Sequence, residues 1–203
     1  MPFIGNKPSA VPLTSADITD GIITSAKIAD GTIVNADINA SAAIVNSKLS
    51  GVGITEADQW RLTVNLTAPS NAFVTANWER VDTDGFNYLG TGMTESSGVF
   101  SFPSTGYYLI LAHGGYYNNS GAFTDNTFNI HTTINNSTYG EATSNISSGY
   151  TNNAHDSSMT SFIFDVTSTT NCKVKFEAST TGIMRAYTDK NATHVTFIRL
   201  GDT

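Results

Sequence analysis

The chain has 203 residues, room for one sizeable domain and an extension. Charged residues make up 13% and the formal net charge is −7. That balance argues against a nucleic-acid or anionic-membrane partner, which would want a basic patch. The single cysteine, Cys172, excludes an internal disulfide framework and any cysteine-based zinc cluster. No apolar run approaches the ~20 residues of a membrane-spanning helix.

Residues 1–15 form an irregular lead-in carrying Pro2, Pro8 and Pro12. It has one early lysine and no continuous apolar core, so it is not expected to act as a signal peptide. Phe3, Ile4, Val11 and Leu13 are apolar enough to want a surface, either that of another protein or that of the segment that follows.

Residues 16–50 hold a repeat: Ala16-Asp17-Ile18, Ala26-Lys27-Ile28 and Ala36-Asp37-Ile38 recur at ten-residue intervals, with Ser47-Lys48-Leu49 as a later echo. Asp20-Gly21 and Asp30-Gly31 supply turn chemistry between them. Ile18, Ile23, Ile28, Ile33 and Ile38 thus make a ladder at a spacing of five. Five residues advance a helix by about 140° beyond a full turn, so the ladder would not line one helical face. Short strands and turns are expected instead. One such unit cannot bury its isoleucines alone. A single-chain four-sided β-helix and three copies wrapped about a common axis both fit, and the three-copy stalk is preferred.

Residues 51–57 read as a hinge, with Ile54 to Trp60 as a connector or a short helical turn. Strands are expected at Arg61 to Leu66, Phe73 to Val81 and Phe86 to Leu89, with a turn at Asp82-Thr83-Asp84-Gly85. Phe100 and Phe102 then share one strand face, and Pro103, which cannot donate to a ladder, leads into the turn Ser104-Thr105-Gly106. Tyr107 to Tyr117 barely alternates, the pattern of a strand covered on both faces. One cover would be the facing sheet and the other a second copy of the chain. Further strands are expected at Thr127 to Ile134, Met159 to Val166, Cys172 to Ala178 (Cys172, Val174, Phe176 and Ala178 inward), Ile183 to Tyr187 and Thr193 to Leu200. Asn135 to Ser158 reads as one weak strand and loops. Many short strands with polar turns indicate a sandwich or jelly roll.

The order Trp78, Phe86, Gly98-Val99-Phe100, Pro103, Gly106-Tyr107-Tyr108, Met159 to Val166, Cys172 to Phe176 and Val195-Thr196-Phe197-Ile198 resembles the trimeric C-one-q/tumour-necrosis-factor jelly roll. That resemblance implies a homotrimeric head over residues 58–203, with Tyr107, Leu109, Leu111 and His113 along the axis. The N-terminal PFIGNKPSAVPLTSADITDGIITSAKIADGTI is similar to the N-terminal segments of fibre proteins from marine tailed bacteriophages. That similarity implies a virion-anchoring segment at residues 1–15 and a trimeric stalk bearing the five isoleucines. The fold class expected is all-β, a short trimeric β-repeat stalk followed by a jelly-roll β-sandwich.

Little points to catalysis. There is no nucleophile elbow, phosphate loop or His-Glu-x-x-His. Three copies of His113 could converge on an axis, but a packed, hydrogen-bonded histidine is the favoured reading, and no metal or cofactor is expected. Tyr116, Tyr117, Tyr139, Tyr150 and Tyr187 lie in or beside stretches rich in Asn, Ser and Thr. They are the candidates for contacting a host-surface glycan, whose CH faces and hydroxyls they would match. The reading is a non-enzymatic homotrimeric virion fibre that also contacts another virion protein. The alternative is a capsid or tail decoration protein without a receptor.

Overall fold

The computed structural model describes residues 18–39, 41, 42, 44, 53–118 and 121–203. The chain divides into two compact units, Met1–Ser50 and Gly51–Thr203. Phe3, Ile4, Val11 and Leu13 lie outside the described residues, as do Ser47-Lys48-Leu49 and the hinge residues Gly51 and Val52.

In the first unit the repeat is a ladder of turns. The backbone N–H groups of Ile22, Lys27, Thr32, Asp37 and Ala42 donate to the carbonyls of Thr19, Thr24, Ala29, Val34 and Asn39, at 2.8 to 3.1 Å. Each acceptor directly follows one of the five isoleucines. Gly21 and Gly31, with φ of +79° and +77°, supply the left-handed positions of the Asp-Gly turns. Short 3-10 turns occupy Ser25–Lys27 and Asn35–Asp37. The expected short strands are not present among the described residues of this segment. A turn bond every five residues leaves only a residue or two extended between turns, as at Thr24 and Ile28. The isoleucines project outward, with Ile18, Ile23, Ile28, Ile33 and Ile38 between 39% and 55% exposed.

The second unit is a sandwich of two antiparallel sheets, with strands numbered along the chain. The first sheet runs β2 (Leu66–Thr67), β13 (Ile183–Met184), β7 (Gly106–Asn118), β14 (His194–Gly201), β1 (Ala57–Leu62) and β4 (Trp78–Arg80). A further strand, β11 (Ala154–Val166), lies along the other edge of β7. The second sheet runs β10 (Ile146–Gly149), β8 (Phe123–Thr133), β12 (Lys173–Ser179), β6 (Val99–Ser101) and β5 (Thr94–Ser96). Off that path, β3 (Ala72–Phe73) pairs with β12 and β9 (Gly140–Thr143) with β8. No α-helix occurs among the described residues.

Between the sheets lies an aromatic core. Phe100 packs edge-on against Trp78 and Phe176, with ring centroids 5.1 and 5.5 Å away, and Phe128 lies 5.5 Å from Phe176. Cys172, Val174, Phe176 and Ala178 are fully buried, as their alternation predicts. The geometry of β7 organises the rest. Its even-numbered residues Tyr108, Ile110, Ala112 and Tyr116 are buried in the core, and its odd-numbered residues point away from it.

Four elements differ from expectation. The connector before Trp60 is the start of β1: Asp58 and Arg61 read as polar, yet each is buried with its charge matched. Asp58 accepts from the Met93 backbone N–H at 2.7 Å, Trp60 Nε1 at 2.9 Å and Arg80 Nε at 3.1 Å. Arg61 donates to Asp82 at 2.8 Å and Thr83 at 2.8 Å and pairs with Glu79. Phe73 to Val81 is two short strands, β3 and β4, interrupted by the left-handed Asn77 (φ +65°). Phe86 to Leu89 contributes only the single bridge from Leu89 to Ala57. Within Asn135 to Ser158 lie β9, β10 and the first residues of β11.

Candidate functional site

The outward face of the first sheet is built by β7, β11 and β14 in register. Met159 lies opposite His113, Ser161 opposite Leu111 and Ile163 opposite Leu109. On the other edge His194, Thr196 and Ile198 lie opposite His113, Leu111 and Leu109. Directly paired residues project to the same side of a sheet, so these side chains form one surface. Met159 is 59% exposed, Ile163 58% and Tyr107 41%, while Leu109, Leu111 and Ile198 are half-buried only by one another and their neighbours. The axis candidates Tyr107, Leu109, Leu111 and His113 therefore all sit on this face.

His113 accepts no charge partner here. Its Nδ1–H donates to the Ala192 carbonyl at 2.9 Å, and its ring stacks on His194 at 5.0 Å. Burial, reinforced by the neighbouring His113, pushes the His194 imidazole down from 6.5 to about 4.

Of the five tyrosine candidates, two come together. The Tyr117 ring lies 4.9 Å from that of His155, whose Nδ1 accepts from Arg185 Nη1 at 3.0 Å. Arg185 also donates to the Tyr187 hydroxyl, and Lys190 Nζ sits 4.4 Å over the Tyr187 ring. Tyr117, His155, Arg185, Tyr187 and Lys190 thus make one aromatic and cationic patch at the end of the first sheet. Tyr139 lies apart, half-buried under Lys175 Nζ at 4.3 Å. Tyr150 is 79% exposed in the link between β10 and β11.

Tyr116 is a correction. It is 1% exposed, and its hydroxyl bonds Ser158 Oγ at 2.9 Å inside the core, so it can contact no ligand. Burial raises its pKa well above that of a free tyrosine. Its hydroxyl lies over Gly114, where a Cβ would collide with it.

A third feature has no counterpart in the sequence reading. The outer face of the second sheet carries a polar cleft of about 900 Å³ lined by Pro69, Asp125, Thr127, Asn129, Glu141 and Glu177, among others. Beside it, His131, Glu141 and Glu177 bring one ligand-type atom each within 4.8 Å of one another. Residues ten and forty-six positions from His131 carry no recognisable spacing, and only the pairing of three strands unites them.

No protein-family model matches the chain, and no curated protein matches it in sequence. Solved structures are similar to it. Eiger TNF from S. frugiperda is 13% identical, with a TM-score of 0.50 over 72% of this chain and 93% of that one. Murine APRIL is 12% identical, with a TM-score of 0.48 over 71% and 98%. The PRD1 vertex protein is 14% identical, with a TM-score of 0.44 over 73% and 99%. The Eiger match shows the fold. The second unit is a jelly roll of the tumour-necrosis-factor type.

Proposed function

We propose that the protein is a structural component of a tailed-bacteriophage virion, a short homotrimeric fibre whose head meets the host surface and which performs no catalysis. The observation that carries the reading is the outward face of the first sheet. Tyr107, Leu109, Leu111, Met159, Ile163 and Ile198 project from one face, with Leu109 flanked by Ile163 and Ile198 and Leu111 by Ser161 and Thr196. Surfaces of that kind mark interaction sites. On a jelly roll whose opposite face is polar, a second and third copy related by a threefold axis would cover it by closed symmetry. The five outward isoleucines of the repeat are a second unpartnered apolar row, and three copies would cover it in the same way. The N-terminal similarity to phage fibre segments supplies the virion context, with Phe3, Ile4, Val11 and Leu13 docking on another virion protein.

In this reading the host contact is the patch of Tyr117, His155, Arg185, Tyr187 and Lys190. Two aromatic faces and three polar or cationic tips match the CH faces and hydroxyls or acidic groups of a cell-surface glycan. Three weak copies per fibre would add by avidity. A decoration protein with the same fold would lack this contact. The test is binding of labelled full-length protein to host cells, with Tyr187→Ala beside wild type. A fall of tenfold or more in bound protein, with solution mass unchanged, supports receptor binding. Equal binding by the variant removes the patch from the account. Immunogold labelling of particles by antibodies against the protein checks the virion assignment, and unlabelled particles contradict it.

A further inference from the structure

The second sheet carries an arrangement that neither trimer formation nor host contact uses. On β8, Thr127, Asn129 and His131 point outward in succession, each more than nine-tenths buried. Each holds a polar atom without a hydrogen-bond partner: Thr127 Oγ1, Asn129 Oδ1 and His131 Nε2. Buried polar atoms are almost always satisfied, so a row of three on one strand calls for an occupant.

His131 is the most telling. Its ring is fixed edge-on against Phe73, with centroids 5.0 Å apart. Its Nε2 lies 3.9 Å from Glu141 Oε2 on one neighbouring strand and 3.7 Å from Glu177 Oε2 on the other. Glu141 lies directly opposite His131 across the β8–β9 ladder, and Glu177 is opposite Asn129 across the β8–β12 ladder. An imidazolium paired with a carboxylate would close to about 2.7–2.9 Å. Here the nitrogen stands nearly midway between two carboxylates and bonds neither.

The cation paired with His131 across the β8–β12 ladder does not neutralise them. Lys175, opposite His131 on β12, directs its ammonium over the rings of Tyr139 and Phe73, at 4.3 and 5.3 Å. Among the described residues no Lys or Arg lies within 4.0 Å of either glutamate's carboxylate. Asn129 Nδ2 lies 3.4 Å from Glu141 Oε2, which orients that oxygen without supplying charge.

We propose that His131, Glu141 and Glu177 form a site for a divalent transition cation of the zinc class. Zinc takes histidine nitrogen and glutamate oxygen as ligands, its open sites hold three protein ligands, and tetrahedral bonds of about 2.0–2.1 Å place ligand atoms roughly 3.4 Å apart. The separations of 3.7 and 3.9 Å from His131 Nε2 need a few tenths of an ångström of closure, and the two glutamate oxygens, within 4.8 Å of one another, close the rest by side-chain rotation. The imidazole selects against calcium and magnesium, which take oxygen ligands. Glu141 and Glu177 line the cleft, so the fourth position opens towards it. The ion's role here is to tie β9 to β8 and β12.

The test is calorimetric titration of ZnCl2 into the full chain, purified without a histidine tag and stripped with a chelator. One ion per chain is expected, with micromolar or tighter affinity and a rise in Tm on zinc addition. Glu141→Gln, a half-exposed position whose change leaves the fold intact, should weaken zinc binding at least tenfold, and so should Glu177→Gln. If Glu177→Gln does not fold, Glu141→Gln decides alone. CaCl2 and MgCl2 should bind far more weakly. Absence of zinc binding at micromolar concentrations, undiminished binding by Glu141→Gln, or calcium binding as tight as zinc each overturns the proposal.

Discussion

The two sheets of the head share one core but present opposite chemistry to the outside. The outward side of the first sheet centres on Leu109, Leu111, Met159, Ile163 and Ile198, set among His113, Ser161 and Thr196, whereas that of the second carries Thr127, Asn129 and His131 on β8 beside Lys173, Lys175 and Glu177 on β12. Both sheets are antiparallel, but β7 alternates buried with half-exposed residues while β8 is buried on both sides from Asn126 to His131. The difference lies in what their outer residues are prepared to meet. The outward residues of the second sheet are polar, half-exposed on β12 and buried on β8. A sheet that keeps leucine, isoleucine and methionine outward fits the proposed trimer, in which copies of the chain would cover it.

The largest effect should erase the comparison. Phe176 is fully buried, and its ring touches those of Phe100, Phe128, Trp78 and Phe197 from the second sheet's side of the core. Phe176→Ala should cost about 3–5 kcal/mol and destabilise both faces together. Chemical denaturation followed by tryptophan fluorescence measures it, and a loss below about 1 kcal/mol would contradict a single shared core.

A smaller effect separates the faces by pH. The folded protein holds His194 neutral, with its pKa near 4 against 6.5 ordinarily. Above pH 6.5 neither state carries the proton, and the group contributes nothing to pH dependence. As pH falls from 6.5 towards 4, the unfolded chain takes up a proton that the folded one refuses, so stability drops, and the loss levels off below about 4. Melts from pH 7 to 4 should show a progressive fall in Tm that is shallower in His194→Gln. Parallel curves would contradict this assignment.

Much of the sandwich was legible because its signals are local. Cys172 to Ala178 alternates in sequence as it does in space, and Phe100-Ser101-Phe102 places two rings on one side. Tyr116 was not legible. Its parity matches Ile110 and Ala112, but Gly114 and Gly115 interrupt the pattern with no side chain to report it. Its hydroxyl is satisfied by Ser158, forty-two residues away. Strand β1 was hidden for a related reason: Asp58 and Arg61 look like surface residues until Met93, Arg80, Glu79 and Asp82 are brought to them. The isoleucine ladder showed its period of five in the sequence. Its form did not follow from that, since turns and short strands share the same residues. The cluster of His131, Glu141 and Glu177 exists only through pairing across three strands, which no spacing encodes.

The claim that the outward face of the first sheet is covered by copies of the chain is tested most directly by solution mass. Light scattering should give three times the chain mass for the full-length protein. The double variant Leu111→Glu/Ile163→Glu, which places six carboxylates at the proposed axis without touching the core, should lower the head's contribution and shift the mass towards monomer at micromolar concentration. A wild-type monomer, or a trimer indifferent to both substitutions, would contradict the account.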